Sequence, residues 1–243
     1  MGYYKAVIAY DGTDFLGFQI QAQGRTVQGT LEAALHTLAK QPVRVTGAGR
    51  TDTGVHATGQ VIGWQLPWQH STVDLLKALN ANLPQDVAVK ELTTTEPGFH
   101  PRFSAVSRQY RYTILNQPIR NVLKRQYTAL VTQPLSIEAM QAASRCLLGE
   151  HDFAAFGRPP QGDNSVRTVT QAVWSRQGPE IYFDITANAF LYRMVRNIVG
   201  ALIQVGQVSL PQEAIEEVML SGKRSNAIAP APPNGLCLIK VNY

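Results

Sequence analysis

Asp52 is the residue in this chain best placed to do chemistry, because it lies in Gly49-Arg50-Thr51-Asp52-Thr53-Gly54-Val55-His56-Ala57-Thr58, a carboxylate between glycines with a guanidinium two residues before it. Glycines permit backbone angles that other residues avoid, so Gly47, Gly49 and Gly54 predict a tight loop that presents short polar side chains. Strands predicted at Val43 to Thr46 and Gln60 to Leu66 hold the two ends of that loop, a setting in which catalytic groups are often found. A carboxylate there serves as nucleophile, general base or charge stabiliser. The plainer alternative is an Asx turn closed on its own backbone, against which Arg50 and His56 argue.

The same segment continues through Gly59-Gln60-Val61, and the whole resembles the active-site motif of the bacterial tRNA pseudouridine synthases of the TruA family. Five further segments match in the family's order. They are Tyr10-Asp11-Gly12-Thr13 with Gly17, Gln19 and Gln21; Asn80-Ala81-Asn82-Leu83-Pro84; Phe99-His100-Pro101-Arg102-Phe103 with Arg108, Tyr110, Arg111 and Tyr112; Gly149-Glu150-His151-Asp152-Phe153; and Met194-Val195-Arg196-Asn197-Ile198-Val199-Gly200. The likeness reaches Ala229-Pro230-Ala231 and Gly235-Leu236, so it covers nearly the whole chain.

The resemblance implies conversion of uridine to pseudouridine. The glycosidic bond breaks, the uracil turns and it rejoins through carbon, with no redox step and no cofactor. Asp52 is then the catalytic carboxylate and Arg196 the cation that keeps it ionised, since a desolvated carboxylate needs such compensation. Tyr110 corresponds to the active-site tyrosine that lies against the target base, where an aromatic face suits stacking. A uridine in a stem must leave the stack to be reached, and Arg50 is the candidate to hold the backbone or the vacated position. Arg108 shares the strand face of Tyr110 and joins it as a substrate-binding candidate; Arg25, Arg102 and Arg111 are further candidates for phosphate. The resemblance also implies uridines 38, 39 and 40 of the tRNA anticodon stem-loop as targets, and a homodimer. Whether Asp52 attacks C1′, attacks C6 or removes a sugar proton stays open, as do a noncatalytic RNA-binding module, a hydrolase, and a synthase for another RNA.

The elements that must position these residues follow from periodicity. Tyr4, Ala6, Ile8 and Tyr10 alternate as a strand. Thr26 caps a helix with Val27, Leu31, Ala34, Leu35 and Leu38 on one face, and Ser71 or Thr72 caps a second with Val73, Leu76 and Leu79. A strand at Val87 to Leu92 completes β-α-β-β-α-β, the ferredoxin-like order. After Phe103, Tyr110, Tyr112 and Ile114 alternate; Ser136 opens a helix ended by Gly149; strands follow at Val169 to Trp174 and Ile181 to Ala187. A helix over Phe190 to Val205 carries an apolar stripe, Leu191, Val195, Ile198, Leu202 and Val205, with Arg193, Arg196, Asn197 and Gly200 on another face. Ser209 and Gln212 predict a capping box for a last helix to about Leu220, and Gly235 to Val241 a closing strand. Arg158 to Asn164 is predicted as an exposed loop.

The predicted fold class is thus α+β, two ferredoxin-like halves, 1–104 and 105–243, which in the family form a continuous, mostly antiparallel sheet around a central active-site cleft. Composition agrees with an RNA partner: 22 Lys and Arg against 17 Asp and Glu give a net charge of +5, and 44% apolar residues suit a globular fold. The longest apolar run, around Ile198 to Val205, is too short to span a bilayer, and nothing reads as a signal peptide, so a cytoplasmic location without membrane attachment is expected. Cys146 and Cys237 predict neither disulfide nor metal site. None of the five histidines has the close partners of a zinc centre, so no metal is expected, and His56 and His100 are read as binding loop backbone.

Overall fold

The computed structural model describes residues 1–159, 162–223 and 229–243, so Pro160 and Gln161 of the predicted 158–164 loop lie outside the described residues. The chain divides into two compact units, 1–106 with 238–243, and 107–237.

In the first unit β1 (Gly2–Tyr10) is followed by α1 (Val27–Ala39), β2 (Thr46–Gly47), β3 (His56–Leu66), α2 (Thr72–Asn82) and β4 (Val87–Thr94). β1 pairs antiparallel with both β3 and β4, and β2 with β3. Tyr4, Ala6, Ile8 and Tyr10 are buried while the alternate positions are half-exposed, as the period-two pattern demands. Thr26 caps α1 by accepting from the Gly29 amide, and Ser71 caps α2 in a capping box with Asp74.

Two expectations need correction here. Of the strand predicted at Val43 to Thr46 only Thr46 is in a strand, the two-residue β2. Val43 and Val45 are buried, but the Val45 amide donates to Glu32 Oε1 and its carbonyl accepts from Gln28 Nε2, so α1 side chains occupy the groups a strand partner would use. The apolar face of α2 is also displaced: Leu75 and Leu79 are buried, whereas Val73 is 59% exposed.

The second unit comprises β5 (Ser107–Asn116), β6 (Ala129–Val131), α3 (Ile137–Ser144), β7 (Gly149–Asp152), β8 (Val166–Gln177), β9 (Glu180–Ala187), α4 (Met194–Gly206) and α5 (Ala214–Ser221). β9 lies between β5 and β8, β7 pairs with β8, all antiparallel, and β6 is parallel to β5. β10 (Leu236–Asn242) closes the chain, and from Leu238 onward its residues belong to the first unit beside β3.

Here too the boundaries shift. α3 ends at Ser144 and passes through a 3-10 turn, so Gly149, at φ 101, starts β7 instead of capping a helix. Cys146 sits on that turn, half-buried, with its thiol pushed up to about 11 by burial first and Glu216 second. α4 starts at Met194, after Arg193 turns the chain at φ 61, and it is buried nearly all round, Asn197 and Gly200 included. No capping box forms at Ser209: the Ser209 and Leu210 amides donate to Gln204 O, and α5 starts only at Ala214. Among the described residues no helix is long and apolar enough to cross a membrane.

Candidate active site

The Asp52 loop is held from below by β1 and by the segment that follows it. Thr51, buried, shares a 2.8 Å hydrogen bond between its hydroxyl and Tyr10 Oη. Its carbonyl accepts from the Phe18 amide, and the Asp52 carbonyl accepts from the Val55 amide in a turn completed by Gly54 at φ 76. Gly17, at φ 90, runs against this turn; a Cβ there would stand 2.7 Å from Thr51 O and 3.3 Å from the Asp52 carbonyl carbon. Glycine at 17 is therefore required twice, by conformation and by space. On the other side the amide of Gln60, fully buried, donates to Gly49 O.

The result is a backbone clamped at Gly49, Thr51 and Asp52, with the Asp52 side chain half-exposed and Arg50 exposed. Arg50 has no hydrogen-bond or ion-pair partner among the described residues, which leaves its guanidinium for a ligand. His56 is buried, and its Nδ1 accepts from the Gly12 amide at 3.0 Å. A ring nitrogen that accepts from an amide holds no proton, so its 3.2 Å approach to Asp11 Oδ1 is a close polar contact and no ion pair in that tautomer. Asp11 Oδ1 instead receives the amide and hydroxyl of Thr13. His100 likewise accepts from the Arg102 and Phe103 amides. Both histidines bind loop backbone, as expected.

In the second unit Tyr110 is buried on β5, its ring edge-on to Phe190 at 5.1 Å and 87°. Arg108, two residues earlier on the same face, is 9% exposed and donates to Asn188 O. Tyr112, next on that face, is fully buried and donates to Pro232 O; burial raises its phenol far above the usual range, so it stays neutral. Arg196, near the start of α4, is half-exposed. Its Nε donates to Ala231 O while the Ala231 amide donates back to Arg196 O. The partner strand of backbone passes so close to α4 that a Cβ on Gly200 would lie 2.0 Å from Ala229 O. Asn197 donates to Phe156 O, and its Oδ1, buried, has no partner among the described residues.

The other arginines divide. Arg25 is paired to Asp86 through two N–H groups and lies over the Phe15 ring at 4.1 Å, and Arg111 is paired the same way to its cross-strand neighbour Asp184. In both cases the carboxylate hydrogen bond raises the guanidinium pKa. Their forks are thus committed within the protein, contrary to their expected use on phosphate. Arg102 is half-exposed beside the Phe103 ring.

Several supports of the site escaped sequence reasoning. Phe190 beneath Tyr110 and Tyr10 beneath Thr51 lie too far along the chain for any local period to pair them. Gln60 left a trace, as a polar residue inside an otherwise apolar strand. Among the described residues no cluster of three His, Cys, Asp or Glu forms a metal site.

The family model described as tRNA pseudouridine synthase matches residues 6–104 and 143–243. The chain is 42% identical over 246 aligned positions to tRNA pseudouridine synthase A of Limosilactobacillus fermentum, covering 99% of this chain and 95% of that one. It is 42% identical to the protein of the same name from Moorella thermoacetica, covering 98% of each, and 41% identical to that of Escherichia coli, covering 97% of this chain and 88% of the relative.

Proposed function

From the premise that the chain belongs to the tRNA pseudouridine synthase family, we propose that it isomerises uridines 38, 39 and 40 of the tRNA anticodon stem-loop, with Asp52 as the catalytic carboxylate. The observation that carries this reading is the clamped Asp52 loop: a backbone fixed by Thr51, Gly17 and Gln60 presents one half-exposed carboxylate beside an unpartnered arginine.

The reaction is balanced within the nucleotide. The N1–C1′ bond breaks and C5–C1′ forms; C5 gives up its proton and N1 gains one. What the protein must supply is a carboxylate at the sugar or the base, a surface that holds the freed uracil, and charge compensation. Asp52 supplies the first, Tyr110 the second as a ring stiffened by Phe190, and Arg196 the third as a guanidinium anchored through Nε to Ala231 O. Arg50 and Arg108 complete the substrate-binding set, Arg50 as the exposed fork for phosphate or the vacated stack. The enzyme acts as a cytoplasmic homodimer, and no cofactor enters the balance above.

The test is tritium release from an anticodon stem-loop transcript made with [5-³H]uridine, with the modified positions mapped by reverse-transcription stops after carbodiimide treatment. Wild type is expected to release tritium at 38, 39 and 40, and Asp52→Asn to lose at least about 10⁴-fold in kcat with an unchanged melting temperature, the scale set by loss of a covalent or proton-transferring group. Stoichiometric tRNA binding by wild type without release would sink the reading. Sedimentation of the free enzyme tests the dimer.

A further inference from the structure

A cavity of about 400 Å³ opens on the first unit, floored by Val7, Val61 and Val241 and rimmed by Lys5, Lys90 and Lys240. It lies on the face of the sheet away from the core: along β1 the buried positions end in Tyr10, which holds Thr51, while Lys5 and Val7 are the alternate positions. None of the side chains assigned to chemistry lines it.

We propose that this surface docks the phosphodiester backbone of the RNA substrate. The proposal rests on the reading of tRNA as substrate and extends it to a second contact region.

Charge is the first argument. Three ammonium groups face one carboxylate, Glu91, and none of the three lysines forms an ion pair with a described residue. Lys5 Nζ instead stands 5.3 Å from the Phe99 ring centre and 5.4 Å from that of Tyr243, and Lys90 Nζ donates only to Thr58 O at 3.0 Å. Three positive charges held over apolar floor and aromatic walls, against the single negative charge of Glu91 and without an ion pair, leave a net positive field that attracts an external anion.

Spacing then selects a polyanion over a single phosphate. The lysines stand on β4, β1 and β10, and the strand order is β4-β1-β3-β10. Three steps of about 4.8 Å put the outer two roughly 14 Å apart. One phosphate does not reach across that span, whereas a nucleic-acid strand offers a charge about every 3.4 Å of its axis and meets all three lysines at once. Lysine also suits the task. Its ammonium is a point charge without the fork of arginine, so it accepts a backbone in many geometries and reads no sequence.

The experiment is tRNA binding by anisotropy with an unmodified transcript from about 50 to 300 mM KCl, comparing wild type, K5A/K90A/K240A, the matching triple Lys→Arg variant, and K77A/R145A/K223A, which removes three exposed charges elsewhere. The slope of log K against log salt is expected to fall by about 0.7 to 0.9 per lysine removed, about 2 to 3 in all for the alanine triple, and to be restored by the arginine triple. KM should rise with kcat unchanged at saturating tRNA. A wild-type slope in the alanine triple overturns the proposal, as does an equal loss in the remote triple, or a loss confined to self-association or to an acidic protein partner. The two readings separate cleanly: tritium release with an unchanged slope leaves the activity standing and removes the docking surface, and a changed slope without release does the reverse.

Discussion

Tyr10 and Thr51 bring a phenol and a hydroxyl together in a buried place, and the carboxylate of Asp52 inherits its position from that contact. Tyr10→Phe leaves the Thr51 hydroxyl without its partner at a cost of about 1 to 2 kcal/mol, which for a chain of this size lowers the melting temperature by roughly 2–8 °C. The larger expected effect is on rate: a reacting group displaced by a fraction of an ångström loses about ten- to a hundredfold in kcat, so tritium release under saturating tRNA should fall far more than stability does. Glu180 makes the corresponding case for pH. Lys124 first, and the Tyr182 hydroxyl second, hold its carboxyl below the usual range. A lowered folded pKa contributes stability that is present above the unfolded value, about 4.3, and is lost as pH falls through the folded one. Lys124 is half-exposed, so the pair is discounted to about 1 kcal/mol. Thermal melts should show Glu180→Gln about 2–4 °C below wild type at pH 7, with the gap closing below about pH 4. A gap that persists at pH 3 would mean that packing, and not charge, sets it. The raised pKa of Tyr182 gives the mirror image: its bond to Glu180 is intact below about pH 10 and is lost as pH rises through the folded value.

At the level of elements, α4 matters most, because it carries Arg196, the proposed counter-cation, and is pressed against the 229–231 segment by backbone on both sides. Gly200→Ala must push Ala229 away from the helix, an overpacking cost of about 1–3 kcal/mol. The expected result is a lower melting temperature together with a fall in kcat, since the same movement strips Arg196 of Ala231; calorimetry and tritium release on one preparation check both. Sequence periodicity found α4 and its glycine but misread the helix as two-faced, because the coverage of Asn197 and Gly200 comes from Phe156 and Ala229, remote in sequence. For α2 it placed Val73, Leu76 and Leu79 on the buried face, whereas the docking of the helix beside β4 buries Leu75 and Leu79. Most of the strand predicted at Val43 to Thr46 was lost to Gln28 and Glu32, whose reach across to Val45 leaves no local pattern. The caps at Thr26, Ser71 and Ser136 were legible because a cap is a contact between neighbours three residues apart.

The whole molecule obeys the same division between near and far. The Asp52 loop was readable because glycine, arginine and aspartate act within ten residues of one another. Tyr110 and Arg196 were tied to it by family resemblance, since no spacing joins residues 52, 110 and 196. The lysine-rimmed cavity was invisible for that reason also: its charges sit at positions 5, 90 and 240 and meet only when three strands are assembled. The last strand is the farthest-reaching contact of all. Leu238 and Val241 are buried in the first unit, and Tyr243 Oη donates to Pro101 O. A chain ending at Cys237 forfeits at least about 4 kcal/mol of burial and should melt about 10 °C lower or fail to remain soluble, which a melt of the truncated protein decides. During synthesis every chain passes through that truncated state. β3 leaves the ribosome early, and its β10 partner emerges only after 107–237 has been made, a delay of roughly ten seconds at bacterial elongation rates. For that interval the nascent first unit carries an open strand edge, within reach of chaperones and of neighbouring chains on the same message.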